Sequence, residues 1–158
     1  MTVLETAADT HALGVALGRR LRPGDLLILS GSLGAGKTTL TKGIAEGMGI
    51  RGLVTSPTFV IARVHRPADP AGTPLIHVDA YRLGGAVEFD DLDLDTDLTT
   101  AAVVVEWGQG VAEQLADDHL LVALARLPDD RRSVEMTAAG PDWAIRLTGL
   151  LAESYGSG

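Results

Sequence analysis

The sequence predicts an α/β fold in which helices cover a largely parallel central sheet with antiparallel additions. Three short apolar runs, at residues 26–29, 75–79 and 101–106, are typical of strands buried on both faces. Helical patterns separate these runs, and such alternation favours a layered fold with parallel strands. Late in the chain, Pro128-Asp129-Asp130 separates two strand-like segments, which predicts a C-terminal hairpin.

The remaining elements are predicted from apolar residues at helical or strand spacing and from the glycine and proline residues that end them. The helices are expected at 6–21, 39–48 and 141–153, the further strands at 59–62, 119–125 and 132–137, and an exposed loop at 66–74. Residues 154–158 are expected to form a flexible tail. A chain of 158 residues is expected to be a single domain, 1–158.

One segment, Gly31-Ser32-Leu33-Gly34-Ala35-Gly36-Lys37-Thr38, fits the phosphate-loop pattern G-x-x-x-x-G-K-[ST]. Glycine lets the backbone curl so that its N–H groups surround a phosphate, and the next helix adds free N–H groups. The strand before the loop and the helix after it are the context that the motif requires. The segment therefore predicts the three-layer fold of P-loop nucleoside triphosphatases. The expected nucleotide-binding residues of the loop are Leu33, Gly34, Ala35, Gly36, Lys37, Thr38 and Thr39.

Five residues are candidates for the chemistry of this site. Lys37 is expected to reach the β- and γ-phosphates, and the Thr38 hydroxyl is expected to bind Mg²⁺. Asp79 and Glu106 each end a buried strand, at the sheet edge where ligands bind in open α/β folds. One acid can bind Mg²⁺ while the other orients the attacking water, and the residues leave this assignment open. Thr58 lies in a Ser-Pro-Thr turn that either senses the γ-phosphate or, as the residues alone favour, is a plain turn.

Composition and charge exclude several functional classes. The net charge of −8, with scattered arginines and no basic stripe, disfavours tight direct binding to RNA or DNA. The absence of cysteine excludes disulfides and thiolate chemistry. No apolar stretch approaches the roughly 20 residues of a membrane span, and no secretory signal is visible. We therefore expect a cytoplasmic protein without membrane association.

Two metal-binding interpretations fail on spacing. The acidic run that begins at Asp91 has Thr96 and Ala102 where a calcium loop requires glycine and glutamate. The four histidines have no partner at zinc-site spacing, so we expect them to be structural or exposed.

No Asn-Lys-x-Asp segment for guanine selection occurs, which favours an adenine nucleotide.

Four segments together resemble the TsaE (YjeE) family, the small bacterial ATPase of tRNA threonylcarbamoyladenosine synthesis. They are the phosphate loop, Ser56-Pro57-Thr58-Phe59, His77-Val78-Asp79-Ala80-Tyr81-Arg82-Leu83 and Val105-Glu106-Trp107, in that order. Two positions depart from the family pattern: Ser32 replaces an acid in the loop, and Gly108 replaces the proline that commonly follows Glu-Trp.

The resemblance implies ATP hydrolysis coupled to a complex with the TsaD and TsaB subunits, which would make the tRNA contacts. It implies Thr38 and Glu106 as the Mg²⁺ ligands, with Asp79 near the γ-phosphate and Thr58 in a switch. Trp107 and Gln109 are implied to border the nucleotide. Residues 7–10 and one of Arg131 or Arg132 are implied to approach it.

Two other functions of the same loop stay open. A small-molecule kinase would need an acceptor pocket and an arginine-bearing lid, for which Arg131 and Arg132 in a short hairpin are poorly suited. A nucleotide-gated binding module would use ATP only to shift the population between two shapes.

Overall fold

The computed structural model of the chain describes residues 2–31, 34–51, 62–79, 100–106 and 112–155. The elements within these ranges are β1 (Thr2–Leu4), α1 (Ala7–Gly18), β2 (Leu26–Ser30), α2 (Lys37–Gly47), β3 (Ala62–His65), β4 (Leu75–Asp79), β5 (Ala102–Glu106), a 3₁₀ helix (Ala112–Leu115), β6 (His119–Arg126), β7 (Arg132–Ala139) and α3 (Pro141–Tyr155). No helix in these ranges has the length and apolar character needed to cross a bilayer.

The seven strands form one sheet in the order β1-β7-β6-β2-β5-β4-β3. The four central strands, β4, β5, β2 and β6, run parallel to one another. The flanking strands are antiparallel: β3 pairs with β4, while β7 pairs with β6 and β1 with β7. This arrangement confirms the predicted α/β fold, its mostly parallel centre and its C-terminal hairpin.

Alternate side chains of the central strands enter two apolar cores. Leu27 and Leu29 of β2 face a core that includes residues from α1, α2 and α3. Leu26 and Ile28 face the opposite core, which includes Ala112 of the 3₁₀ helix. Strands covered on both faces require nearly continuous apolar runs, which explains why the sequence pattern located them well.

Several boundaries differ from those predicted. The first helix begins after Thr6, whose hydroxyl accepts from the Asp9 N–H while the Asp9 carboxylate accepts from the Thr6 N–H, and it ends at Gly18 rather than at 21. The closing helix continues to Tyr155, so the expected tail loses its first two residues. Strand β1 was not predicted, because a three-residue edge strand depends on its pairing with β7 rather than on local pattern. Of the predicted strand 59–62, only Ala62 lies within the described residues, where it opens β3.

Helices α1 and α2 cross at four glycines. A Cβ atom on Gly14 would lie 2.3 Å from the Leu40 carbonyl oxygen, and one on Gly43 would lie 2.2 Å from that of His11. Gly18 and Gly47 are equally close to the facing backbone. Such contacts admit no side chain, so these glycines set how closely the helices approach. The crossing fixes α1 beside the helix that follows the phosphate loop.

Candidate nucleotide-binding site

The phosphate loop connects β2 to α2, and its three described glycines, Gly31, Gly34 and Gly36, all have positive φ. Gly31 has φ +144°, and a Cβ atom there would lie 2.4 Å from the Leu124 carbonyl oxygen. Gly36 has φ +105° and is the N-cap of α2, so it supplies no side chain to cap the helix. Because the first N–H groups of a helix lack partners within the helix, they are available to an anion at this end.

Lys37 is the first residue of α2, and its side chain is buried against the loop. The residue is 6% exposed, and its Nζ atom donates to the Gly31 carbonyl oxygen at 2.5 Å. Burial lowers the pKa of the Lys37 ammonium from its ordinary value, while the nearby Glu106 and Asp79 carboxylates act in the opposite direction. The two acids and the lysine therefore share one electrostatic environment.

Asp79 and Glu106 are brought side by side by the pairing of β4 with β5. The two residues are register partners at the carboxyl ends of these parallel strands, and they are 9% and 4% exposed. The Glu106 carboxylate oxygen Oε2 also accepts a hydrogen bond from Nε2 of the wholly buried His77. Two buried carboxylates beside one ammonium offer oxygen ligands of the kind that Mg²⁺ prefers.

A cavity opens beside Gly36 between α1, the first turn of α2 and the hairpin of β6 and β7. Its lining residues are Thr6, Ala7, Thr10, Gly36, Thr39, Asp130 and Arg132. Thr10 is 1% exposed, and its hydroxyl has no hydrogen-bond partner among the described residues. A buried, unpaired hydroxyl in a cavity wall is suited to bind a polar ligand atom.

Of the two hairpin arginines, Arg132 lines this cavity. Its Nη1 atom donates to the Asp130 carbonyl oxygen at 2.6 Å, which holds the side chain near the turn. The Arg131 side chain instead pairs with Asp129, at 2.5 Å, and with Glu5. Arg131 immediately precedes β7 and Arg132 is its first residue, and of the two only Arg132 lines the cavity.

The structure thus brings together Lys37, Asp79 and Glu106, with Thr38 and Thr39 in the first turn of α2. Four predicted site residues, Leu33, Thr58, Trp107 and Gln109, lie outside the described residues.

Sequence reasoning did not single out Thr6, Asp130 or His77 as site residues. The last of these was expected only to be structural or exposed. A signal did exist for His77, because it lies two residues before Asp79 in a strand and therefore on the same face.

Comparison with known proteins identifies one family. The family described as "Threonylcarbamoyl adenosine biosynthesis protein TsaE" matches residues 4–134. A Streptomyces coelicolor protein named tRNA threonylcarbamoyladenosine biosynthesis protein TsaE is 54% identical over 145 residues, which cover 89% of this chain and 97% of that protein. The Bacillus subtilis protein of the same name is 41% identical over 133 residues, covering 84% and 81%.

The fold has a match of known structure. The crystal structure of Bacillus subtilis YdiB aligns with a TM-score of 0.79 at 33% sequence identity. The alignment covers 96% of this chain and 93% of that chain.

Proposed function

The chain belongs to the TsaE family of threonylcarbamoyl adenosine biosynthesis proteins, and on that premise we propose that it is an ATPase that works with Mg²⁺ inside a complex of TsaD and TsaB homologues. The observation that carries the proposal is the grouping of Lys37 with Asp79 and Glu106 at the start of α2. We further propose that residues 1–158 form one nucleoside triphosphatase domain.

The residues present fit both an ATP phosphate chain and Mg²⁺. Glycines with positive φ and an N-terminus of α2 without a side-chain cap suit a phosphate group. We assign Mg²⁺ to the Thr38 hydroxyl and the Glu106 carboxylate. A metal ion bound there would neutralise negative charge on the β- and γ-phosphate oxygens.

Three residues of the chain are proposed to carry the other steps of ATP hydrolysis. Lys37 supplies a buried positive charge to the β- and γ-phosphates, in a site where desolvation strengthens its electrostatic effect. Asp79, beside Glu106, orients the attacking water toward the γ-phosphate and accepts its proton. Thr58 is proposed as the residue that senses the γ-phosphate.

The cavity beside Gly36 is proposed to hold the nucleoside part of ATP. Thr10 offers an unpaired hydroxyl there, and Arg132 offers a planar cation that can stack on a base or bind a phosphate. Trp107 and Gln109 are also proposed to border the nucleotide.

The charge of the chain supports an indirect relation to tRNA. A net charge of −8 opposes contact with a polyanion, so the partner subunits are proposed to carry the tRNA contacts. A tRNA-modifying role is also the reason to place the protein in the cytoplasm.

The test is phosphate release from ATP, measured for the isolated protein and again with the TsaD and TsaB homologues and tRNA. We expect slow turnover by the protein alone and a clear stimulation by the partners. Full turnover that the partners leave unchanged contradicts the proposed coupling. A phosphorylated metabolite in place of inorganic phosphate identifies a kinase instead.

A further inference from the structure

His77 of β4 and Glu106 of β5 form a buried side-chain contact. The His77 residue is fully buried at the centre of β4, and Glu106 is 4% exposed at the end of the neighbouring strand β5. Their strands run parallel, with His77 opposite Val104 and Asp79 opposite Glu106. The Glu106 side chain therefore turns back along β5 to meet the imidazole.

The direction of the hydrogen bond follows from the chemistry of its two partners. A carboxylate oxygen only accepts, so Nε2 of His77 is the donor and Oε2 of Glu106 the acceptor. The other ring nitrogen, Nδ1, has no hydrogen-bond partner among the described residues. Among those residues, the hydrogen bond that the imidazole forms is therefore the one to Oε2 of Glu106.

Such a contact limits the freedom of a side chain that is otherwise flexible. A glutamate has three rotatable side-chain bonds, whereas a histidine packed inside a sheet has little freedom of its own. Holding Oε2 selects one rotamer of Glu106 and leaves Oε1 outside this hydrogen bond. Partners that orient a metal-binding group typically change metal affinity by roughly 10- to 100-fold.

We propose that His77 is a positioning residue for this site: its Nε2–H holds the Glu106 carboxylate in the orientation that binds Mg²⁺. The inference rests on the proposed role of Glu106 as a metal ligand. It adds a second polar function to β4, whose other contribution to the site is Asp79. A structural role alone, with the imidazole tying β4 to β5, would contribute to stability but not to metal binding.

A matched pair of amide substitutions separates these two roles. In His77→Gln the amide nitrogen can occupy the position of Nε2, whereas in His77→Asn it can occupy that of Nδ1. The two variants carry the same polar group in the same buried place and differ in one methylene. Only the glutamine can donate to Glu106.

The readout is Mn²⁺ binding to the protein with saturating ADP, measured by electron paramagnetic resonance of free Mn²⁺. We expect His77→Asn to weaken Mn²⁺ binding by roughly 10-fold or more and His77→Gln to stay within about threefold of the parent. If His77→Asn does not fold, His77→Leu takes its place with the same expected loss. Thermal unfolding of each variant shows that it is folded.

Two further variants complete the experiment. His119→Gln is the matched control, because His119 is a buried histidine whose Nδ1 contacts the Ala116 carbonyl oxygen at the start of β6, away from the site. Its Mn²⁺ affinity should equal that of the parent. Glu106→Ala reports on the metal role itself and should weaken Mn²⁺ binding at least as much as His77→Asn.

The outcomes are distinguishable. If Glu106→Ala weakens Mn²⁺ binding and His77→Asn does not, His77 has only a structural role and the inference is wrong. Equal losses in His77→Gln and His77→Asn also overturn it, because the position of the donor would not matter. If Glu106→Ala leaves Mn²⁺ binding unchanged, the metal assignment in the proposed function fails, and the inference fails with it.

Discussion

Buried charged side chains lie near both ends of strand β2, but they are paired differently at the two ends. At the amino end, Asp25 is 4% exposed and forms a two-armed ion pair with Arg146, at 2.6 and 2.7 Å. At the carboxyl end, within the part of the chain that the structure describes, the carboxylates of Asp79 and Glu106 lie near the ammonium of Lys37. Opposite charges are paired at the amino end, whereas at the carboxyl end the described residues place two carboxylates beside one ammonium.

The amino end is completed by further contacts. Arg146 also donates to the Arg20 carbonyl oxygen at 3.2 Å, and its guanidinium lies 4.0 Å from the centre of the buried Trp143 ring. Asp25 accepts in addition from the Arg22 N–H at 2.8 Å. Arg146 donates through its two terminal nitrogens, whereas its Nε has no hydrogen-bond partner among the described residues. A buried charge held by several hydrogen bonds stabilises one arrangement of the chain. An excess of buried carboxylate instead suits a site that binds a cation.

The largest expected effect is at the amino end. Asp25→Ala should lower the free energy of unfolding by about 3 kcal/mol, because it leaves the Arg146 guanidinium without its main partner. Urea unfolding measures this loss. Arg22→Ala, which removes an exposed pair with Asp142, is the control and should cost under about 1 kcal/mol. Asp25→Ala should leave ATP affinity unchanged. A loss of ATP affinity in this variant would contradict the assignment of a structural role to the amino end and a binding role to the carboxyl end.

Lys37→Ala should instead affect binding and not stability: it should weaken ATP binding by roughly 100-fold and leave the protein folded. The reason is that the substitution removes the buried cation beside the loop. Isothermal titration with ATP and Mg²⁺ provides the measurement. Lys42→Ala is the matched control, since Lys42 is exposed on the same helix and should leave ATP affinity unchanged. Equal affinities of the two variants would place the nucleotide elsewhere.

The smallest expected effect concerns the hairpin arginines. Arg132→Ala should weaken ATP binding by roughly 10-fold, because one charge-assisted contact in the cavity is lost. Arg131→Ala should have no measurable effect on ATP affinity, because Arg131 pairs with Asp129 and Glu5 instead. Fluorescent-nucleotide displacement resolves such a difference. Equal losses in both variants would mean that the cavity does not hold the nucleoside.

Much of this molecule was predictable because its signals are local. The apolar runs marked β2, β4 and β5 to within a residue at each end, since strands covered on both faces need continuous apolar sequence. The helix after the phosphate loop was located to within two residues at its start. The acids at 79 and 106 were recognised because each directly follows such a run.

Other features were not predictable because they depend on contacts between distant residues. By local propensity a glycine weakens or ends a helix, whereas in the fold Gly43 and Gly47 let α2 touch the backbone of α1. The buried ion pair of Asp25 with Arg146 joins residues 121 positions apart. No local pattern indicates such a pairing.

The sequence by itself determined the chemistry available at this site: a glycine loop, a lysine at the start of a helix, and an acid at the end of each of two buried strands. These are local properties, because glycine permits positive φ and an apolar run predicts a buried strand wherever it occurs. Tertiary structure alone decided that Asp79 lies beside Glu106, that His77 contacts Glu106, and that Arg132 rather than Arg131 lines the cavity. Strand order and register decide these neighbours, and both depend on how the whole chain buries its apolar surface.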